Sequence, residues 1–203
     1  MAAPTEREVL EALQTTDAVL DGHFILSSGK HAARYIQCAR LLQHPDLAER
    51  VCQLLGERAQ ACGPIDAVVG PAMGGIVVAY ELARVLGVRG LFTERQDGQM
   101  TLRRGFEISA GERVLIAEDV ITTGRSSLEV ADVLTKIDAT ILGIACIVDR
   151  TLGVGDLPFP VISAVRLEID AFEPEDCPLC QKGLPAVKPG SRQDPSSWLE
   201  ATG

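Results

Sequence analysis

Hydrophobic positions along this chain follow two patterns, helical periodicity in some stretches and short unbroken aliphatic runs in others. Residues 5–20 place Val9, Leu10 and Leu13 at helical spacing behind a Thr5-x-x-Glu8 capping box, and Asp21-Gly22 is expected to break that helix. Residues 23–26 and 34–37 read as the arms of a hairpin-like unit around 27–31. A second helix is expected over 46–61 from Leu47, Val51, Leu54 and Leu55, stopped by Cys62-Gly63-Pro64. Unbroken runs at 65–69, 90–93, 114–117, 141–148 and 161–165 then predict buried strands, with helices over 76–86 and 126–137. Beyond Glu173 the chain turns rich in Pro, Gly and Cys and is expected to be irregular, packing back on the hairpin unit. No internal repeat interrupts this pattern, so it describes an α/β core, and 203 residues suffice for one of good size.

The junctions between strands and helices carry the chemistry. The run Val114 to Ala117 ends in Glu118 and Asp119, followed by a small hydroxyl-rich turn with Thr122, Thr123, Gly124 and Ser126. The open N–H groups and the dipole at such a helix start favour an anion, and a glycine lets the backbone come close to it. Adjacent carboxylates would repel a phosphate unless they face something else, and vicinal hydroxyls are their natural partners. The pattern therefore asks for a sugar phosphate, and ribose 5-phosphate fits. An ordinary strand followed by a helix capped by Thr122, Thr123 or Ser126 explains the hydroxyls but not the paired acids.

A second glycine-rich turn, residues 70–75, is either another backbone anion site or a place where helix and strand pack closely. Residues 94–107 are polar and hold Arg95, Arg103 and Arg104. They are either a solvated hairpin or a lid whose arginines close over a polyanion, and the lid is preferred because each guanidinium offers bidentate phosphate contacts. Arg150 follows the strand beside the central one, at the end where ligands bind in open α/β sheets; its alternative is a surface pair with Asp149.

A net charge of −9 argues against a sequence-independent nucleic-acid binder. No apolar run reaches the roughly 20 residues needed to span a bilayer, and the amino-terminal stretch has no secretory pattern, so a cytoplasmic location is expected. The six cysteines, at 38, 52, 62, 146, 177 and 180, have no framework spacing and are expected to be reduced thiols. Cys177-Pro-Leu-Cys180 is a single pair that would need two further ligands, from elsewhere in the chain or from a second subunit, to hold zinc, and no metal is expected there. Lys30 and His31 read as a solvated turn.

The segment Glu118-Asp119-Val120-Ile121-Thr122-Thr123-Gly124 resembles the phosphoribosyl diphosphate (PRPP) motif of type I phosphoribosyltransferases. Phe24, Leu26, Ser28 and Gly29, followed by Arg34 and Tyr35, are similar to the base-covering hood of the orotate-specific branch of that family, and the tail from Cys177 to Arg192 resembles one bacterial branch of it. The resemblance implies transfer of ribose 5-phosphate from PRPP to N1 of orotate in pyrimidine biosynthesis, giving orotidine 5′-monophosphate and pyrophosphate. It implies a mainly parallel five-stranded sheet flanked by helices, in one domain over 1–203, with a small hood from about 1–45 and 170–203 and a core over about 46–169. PRPP would be held by Met73, Gly74, Glu118, Asp119, Val120, Ile121, Thr122, Thr123, Gly124, Arg125 and Ser126, and orotate by Thr122 and Arg150. Arg95, Arg103, Arg104 and Asp119 would be catalytic. Mg²⁺ would be bound mainly through PRPP and water, and the protein would be a homodimer whose 94–107 loop reaches the neighbouring site.

Three positions depart from the resemblance. Ser27 stands where one branch has a lysine, Gln99 where a loop lysine is common, and Arg125 where a small residue is usual. Arg125 is expected to offer its backbone N–H to the phosphate and keep its guanidinium at the rim. A purine or uracil salvage transferase, or a PRPP-binding regulator on the same fold, are the other functions that such a motif allows.

Overall fold

In the first helix, α1 (Glu6–Thr15), the Thr5 hydroxyl accepts from the Glu8 N–H while the Glu8 carboxylate accepts from the Thr5 N–H at 2.7 Å, which is the capping box. The helix ends sooner than its sequence pattern predicts. Strand β1 (Val19–Ile25) already includes Asp21-Gly22, which fall at a register shift against antiparallel β2 (His31–Ile36). A glycine inside a strand marks a bulge as readily as a helix stop, and the long-range pairing decides between the two. The computed structural model describes residues 3–26, 28–151 and 157–189, so Ser27, the glycine turn at 152–156 and Arg192 lie outside the described residues.

After a short α2 (Ala39–Leu42) come α3 (Pro45–Ala59), β3 (Ala67–Pro71), α4 (Gly74–Leu86), β4 (Arg89–Gln96), β5 (Gln99–Leu102), β6 (Arg113–Ile121), α5 (Arg125–Thr135), β7 (Thr140–Asp149) and β8 (Val161–Arg166). The large sheet has the order β5-β4-β3-β6-β7-β8, with β3, β4, β6, β7 and β8 parallel. The sheet therefore has six strands, not five. The sixth, β5, pairs antiparallel with β4 through a two-residue turn at Asp97 (φ 52°) and Gly98 (φ 81°), within the stretch expected to be a loop. An Asp-Gly pair with positive φ at both positions is the favoured hairpin turn. The signal was there, but the arms lie at a sheet edge and are too polar to show alternation.

Side chains alternate across the parallel strands. Val68 of β3 and Leu115 and Ala117 of β6 belong to one apolar cluster with Leu55 of α3 and Leu82 of α4; Val9 and Leu13 of α1 join it. Ala67, Val69, Val114 and Ile116 join the other cluster, with Val130 and Leu134 of α5. Leu55, Leu82 and Leu134 are wholly buried, each contributing about 1.5–3 kcal/mol of transfer free energy. Both sheet faces are thus covered, which explains why these strands read as unbroken aliphatic runs.

The smaller sheet has the order β1-β2-β9, where β9 is Ala171–Phe172. The carboxyl-terminal segment, after a short α6 (Pro178–Gln181), returns to β1: Ile25 N–H donates to Val187 O and Val187 N–H to His23 O, each at 2.8 Å. Two sequence expectations change here. His31 is not on a solvated turn but starts β2 and is buried, 8% exposed, while Lys30 pairs with Glu173 at 3.0 Å. Cys177 and Cys180 are not isolated either: their sulfurs and one ring nitrogen each of His23 and His31 all lie within 4.8 Å of one another.

Candidate active site

Strand β6 delivers Glu118 and Asp119 at the carboxyl end of the large sheet, and its chain then turns through Thr122 and Thr123 into α5. Gly124, the residue before the helix, has φ 70°, and a Cβ on it would lie 2.7 Å from Leu157. The left-handed φ favours glycine there, and the close Leu157 methyl is the end of a flexible side chain that a Cβ would have to push aside. No side chain caps α5, contrary to the capping role that Thr122, Thr123 or Ser126 could have had. The Arg125 N–H makes one long contact, 3.4 Å, with the Thr123 hydroxyl. The N–H groups at the start of the helix thus face a depression of about 420 Å³ lined by Glu118, Val120, Ile121 and the 122–127 turn. Arg95 also lines it, its guanidinium paired with Glu129 and donating to Gly98 O at 3.2 Å. The Arg125 guanidinium pairs with Glu129 at 3.1 Å and is 81% exposed, as its expected place at the rim requires.

The two acids differ. Glu118 is buried, and that burial, with Asp119 beside it, pushes its carboxyl up to about 9. Asp119 accepts from the Val120 N–H at 2.8 Å and faces the glycine-rich turn: a Cβ on Gly74 would lie 2.8 Å from its carboxylate. The other two glycines of that turn answer to packing, since a Cβ on Gly70 would sit 2.2 Å from Gly75 O and one on Gly75 2.6 Å from Pro71 Cδ. The packing reading of residues 70–75 thus holds for Gly70 and Gly75, while Gly74 owes its lack of a side chain to the Asp119 carboxylate beside it. Met73, at the start of α4, is 83% exposed.

A cleft of about 700 Å³ lies between the two sheets, sharing Val120, Thr122 and Thr123 with the depression and reaching Tyr35, Arg150 and Lys188. Arg150 does not pair with its neighbour Asp149. That carboxylate instead accepts from the Thr151 N–H and hydroxyl at 2.8 and 2.7 Å and from Arg166 at 2.9 Å. Burial pushes Asp149 up, but these donors outweigh it and hold its carboxyl below the usual range. The Arg150 Nε is buried with no partner among the described residues, and burial draws its guanidinium below the ordinary value. A half-buried guanidinium in a cleft, with its Nε unpartnered, can accept an anion. Another depression, of about 720 Å³ around Asp66, Arg89 and Glu112, lies at the amino ends of the strands, away from where open α/β sheets bind ligands.

Arg103 and Arg104 are not brought to the cup that the depression at the 122–127 turn forms. Each pairs with Glu94 at 3.0 Å, and Arg104 also lies over the Phe92 ring at 6.0 Å. Three residues that sequence reading missed line or adjoin the site. Ser127 is buried in the cup, its hydroxyl without a partner among the described residues; Thr93, wholly buried in β4, also has an unpartnered hydroxyl, and its backbone carbonyl accepts from the Ala72 N–H at 2.7 Å. Lys188 reaches the cleft only because the tail returns to β1. Ser127 could have been found by extending the hydroxyl run by one residue; Lys188 had no local signal.

The fold and this turn define a class. Residues 37–174 match the phosphoribosyl transferase domain, and the chain belongs to that family. Within it, the chain is 53% identical over 189 residues to an orotate phosphoribosyltransferase of Pelotomaculum thermopropionicum, covering 93% of this chain and 99% of the relative. It is 50% identical over 184 residues to one of Caldicellulosiruptor bescii, covering 91% and 96%. A crystal structure of orotate phosphoribosyltransferase from Aeropyrum pernix superimposes with a TM-score of 0.65 at 30% identity, over 78% of this chain and 93% of that one.

Proposed function

We propose that this chain transfers the ribosyl 5-phosphate group from PRPP to orotate, in the formation of pyrimidine nucleotides. The curated relatives at about half identity support the reaction. Arg150, half-buried in the cleft with its Nε buried and unpartnered among the described residues, is the observation that carries the choice of base, because orotate brings a carboxylate that a guanidinium binds with two parallel bonds.

On this reading the 122–127 turn holds the 5-phosphate, Glu118 and Asp119 accept from the ribose hydroxyls, and the turn at Met73 and Gly74 receives the diphosphate. The proximity of Gly74 to Asp119 supports this, since ribose and diphosphate are joined at one carbon. Arg150 and Thr122 orient the base so that its N1 faces that carbon. Departure of pyrophosphate leaves positive charge on the ribose ring, which needs positioning and charge stabilisation rather than an acid or base. Arg95 stands at the cup, whereas Arg103 and Arg104 must exchange Glu94 for phosphate oxygens as the β4–β5 hairpin closes.

The oxygen donors at this site suit Mg²⁺: among the described residues the Asp119 carboxylate has no basic partner and faces the diphosphate turn. Asp119 would hold the ion through water, and when bound it would neutralise the diphosphate. On α4, Met73, Val77 and Tyr80 are exposed apolar side chains at helical spacing. That stripe supports a homodimer in which the hairpin serves the neighbouring site. No helix among the described residues is long and apolar enough to cross a membrane, and the proposed location is the cytoplasm. The test is a panel of bases: protein, Mg²⁺ and PRPP are mixed with orotate, uracil, adenine, guanine or hypoxanthine and pyrophosphate is followed. Release with orotate supports the reading, and release only with another base overturns it.

A further inference from the structure

We propose that His23, His31, Cys177 and Cys180 form a tetrahedral zinc site that clasps the carboxyl-terminal segment to the hood sheet. The four residues come from β1, β2 and the start of α6, and three of them are buried: His23 at 2%, His31 at 8% and Cys177 at 0% exposure. The Cys177 sulfur lies 3.5 Å from His23 Nε2, and the Cys180 sulfur lies 3.8 Å from His23 Nε2 and 3.2 Å from His31 Nδ1. Around a tetrahedral zinc with ordinary bond lengths, a nitrogen and a sulfur ligand are ~3.5 Å apart and two nitrogens ~3.3 Å. Three of the four sulfur-to-nitrogen distances lie within about 0.3 Å of that value, and all four ligand atoms lie within 4.8 Å of one another. His23 Nε2 and His31 Nδ1 are 2.8 Å apart, so the ion would widen that edge by about half an ångström.

The surroundings select a metal over a mere hydrogen-bonded cluster. His23 Nδ1 lies 2.9 Å from Leu184 O and donates its proton there, which turns the Nε2 lone pair inward. That is the outer contact by which zinc-binding histidines are oriented. The donor set is two thiols and two imidazoles with no carboxylate, which suits zinc and not Mg²⁺. Binding is balanced: two thiol protons leave to solvent, the proton that His31 Nδ1 shares with His23 Nε2 in the metal-free protein is replaced by one on His31 Nε2 through solvent, and Zn²⁺ with two thiolates and two neutral imidazoles carries no net charge. Four filled protein ligands leave no open position, so the site is structural.

The clasp has a consequence for the cleft. The tail it would fasten carries Val187, bonded to β1 on both sides, and then Lys188 and Pro189, which line the cleft with Arg150. Removing the metal should loosen that wall. This consequence rests on reading the cleft as the base site; the metal site does not.

The experiment is zinc analysis of the full chain, purified without chelators or a metal-affinity step and incubated with Zn²⁺ before the excess is removed, beside a Co²⁺-exchanged sample. About one zinc per chain is expected. The Co²⁺ form should show the strong visible bands of a tetrahedral ion and a thiolate-to-cobalt band in the near ultraviolet. The Cys180→Ser variant, at an exposed position, should lose both signals. Zinc well below one per chain with no thiolate-to-cobalt band in the wild type, a Cys177–Cys180 disulfide found by thiol titration, or full metal binding in Cys180→Ser would each overturn the site. In a separate arm, stripping the zinc should raise KM for orotate several-fold more than KM for PRPP. Unchanged kinetics with the metal confirmed would leave the site standing and overturn its link to the cleft.

Discussion

Gly74 and Asp119 meet so closely that the carboxylate occupies the space a side chain on Gly74 would need: the built Cβ falls 2.8 Å from Cγ and from both oxygens. Two turns at the ends of neighbouring strands, β3 and β6, thereby lie side by side. Gly74→Ala is therefore expected to displace Asp119 and raise KM for PRPP by about tenfold or more, with the fold retained. Steady-state kinetics and a thermal melt check this. Gly70→Ala should behave differently, because its Cβ would sit 2.2 Å from a backbone carbonyl, and overpacking of that kind costs about 1–3 kcal/mol or more of stability.

Asp119→Asn keeps the shape and removes the charge. If Asp119 accepts from ribose hydroxyls and positions the ion, kcat/KM for PRPP should fall by about tenfold or more. Near-normal kinetics would take the ribose role away from it.

Glu118 gives a pH signature to the ligand-free protein. Its carboxyl holds the proton up to about 9 in the folded state, against 4.5 in its ordinary state. The folded state thus binds more protons across that window, and stability from this group is full below the lower value and is lost as pH rises towards the upper one. Thermal melts of wild type and Glu118→Gln should diverge between about pH 5 and about pH 9, with the wild type losing more. A constant gap would show that Glu118 is not held neutral.

Arg103 and Arg104 share Glu94 in this conformation. Replacing both by Ala should lower kcat by about tenfold or more while leaving KM for orotate nearly unchanged, if they act on the departing pyrophosphate. A rise in orotate KM with kcat intact would move them to the base.

The sequence made the central strand, its paired acids and the hydroxyl turn legible because each is a local feature: a run of buried aliphatics, two charges, four small residues. The parallel strands were legible for the same reason. The β4–β5 hairpin was named only as the less favoured reading of 94–107, since an exposed edge needs no apolar alternation and Asp97-Gly98 was its one sign. Asp21-Gly22 misled in the opposite direction, reading as a helix stop where pairing with β2 makes a bulge. Long-range encounters stayed hidden: the Gly74–Asp119 contact, Lys188 in the cleft, and the two histidines beside Cys177 and Cys180 all depend on segments far apart in the chain. Arg150 shows the mixed case. Its position at a strand end was readable, but that Asp149 is taken by Arg166, leaving the Arg150 Nε without a partner among the described residues, is a fact of packing.

That freedom of Arg150 is the centre of the account, and the kinetics of Arg150→Ala test it most directly. Losing a charge-assisted pair with a ligand carboxylate costs about 2–5 kcal/mol, so kcat/KM for orotate should fall by about 30-fold or more. KM for PRPP should stay within about threefold of wild type. An equal loss for both substrates, or no loss for orotate, would contradict the assignment of the base site.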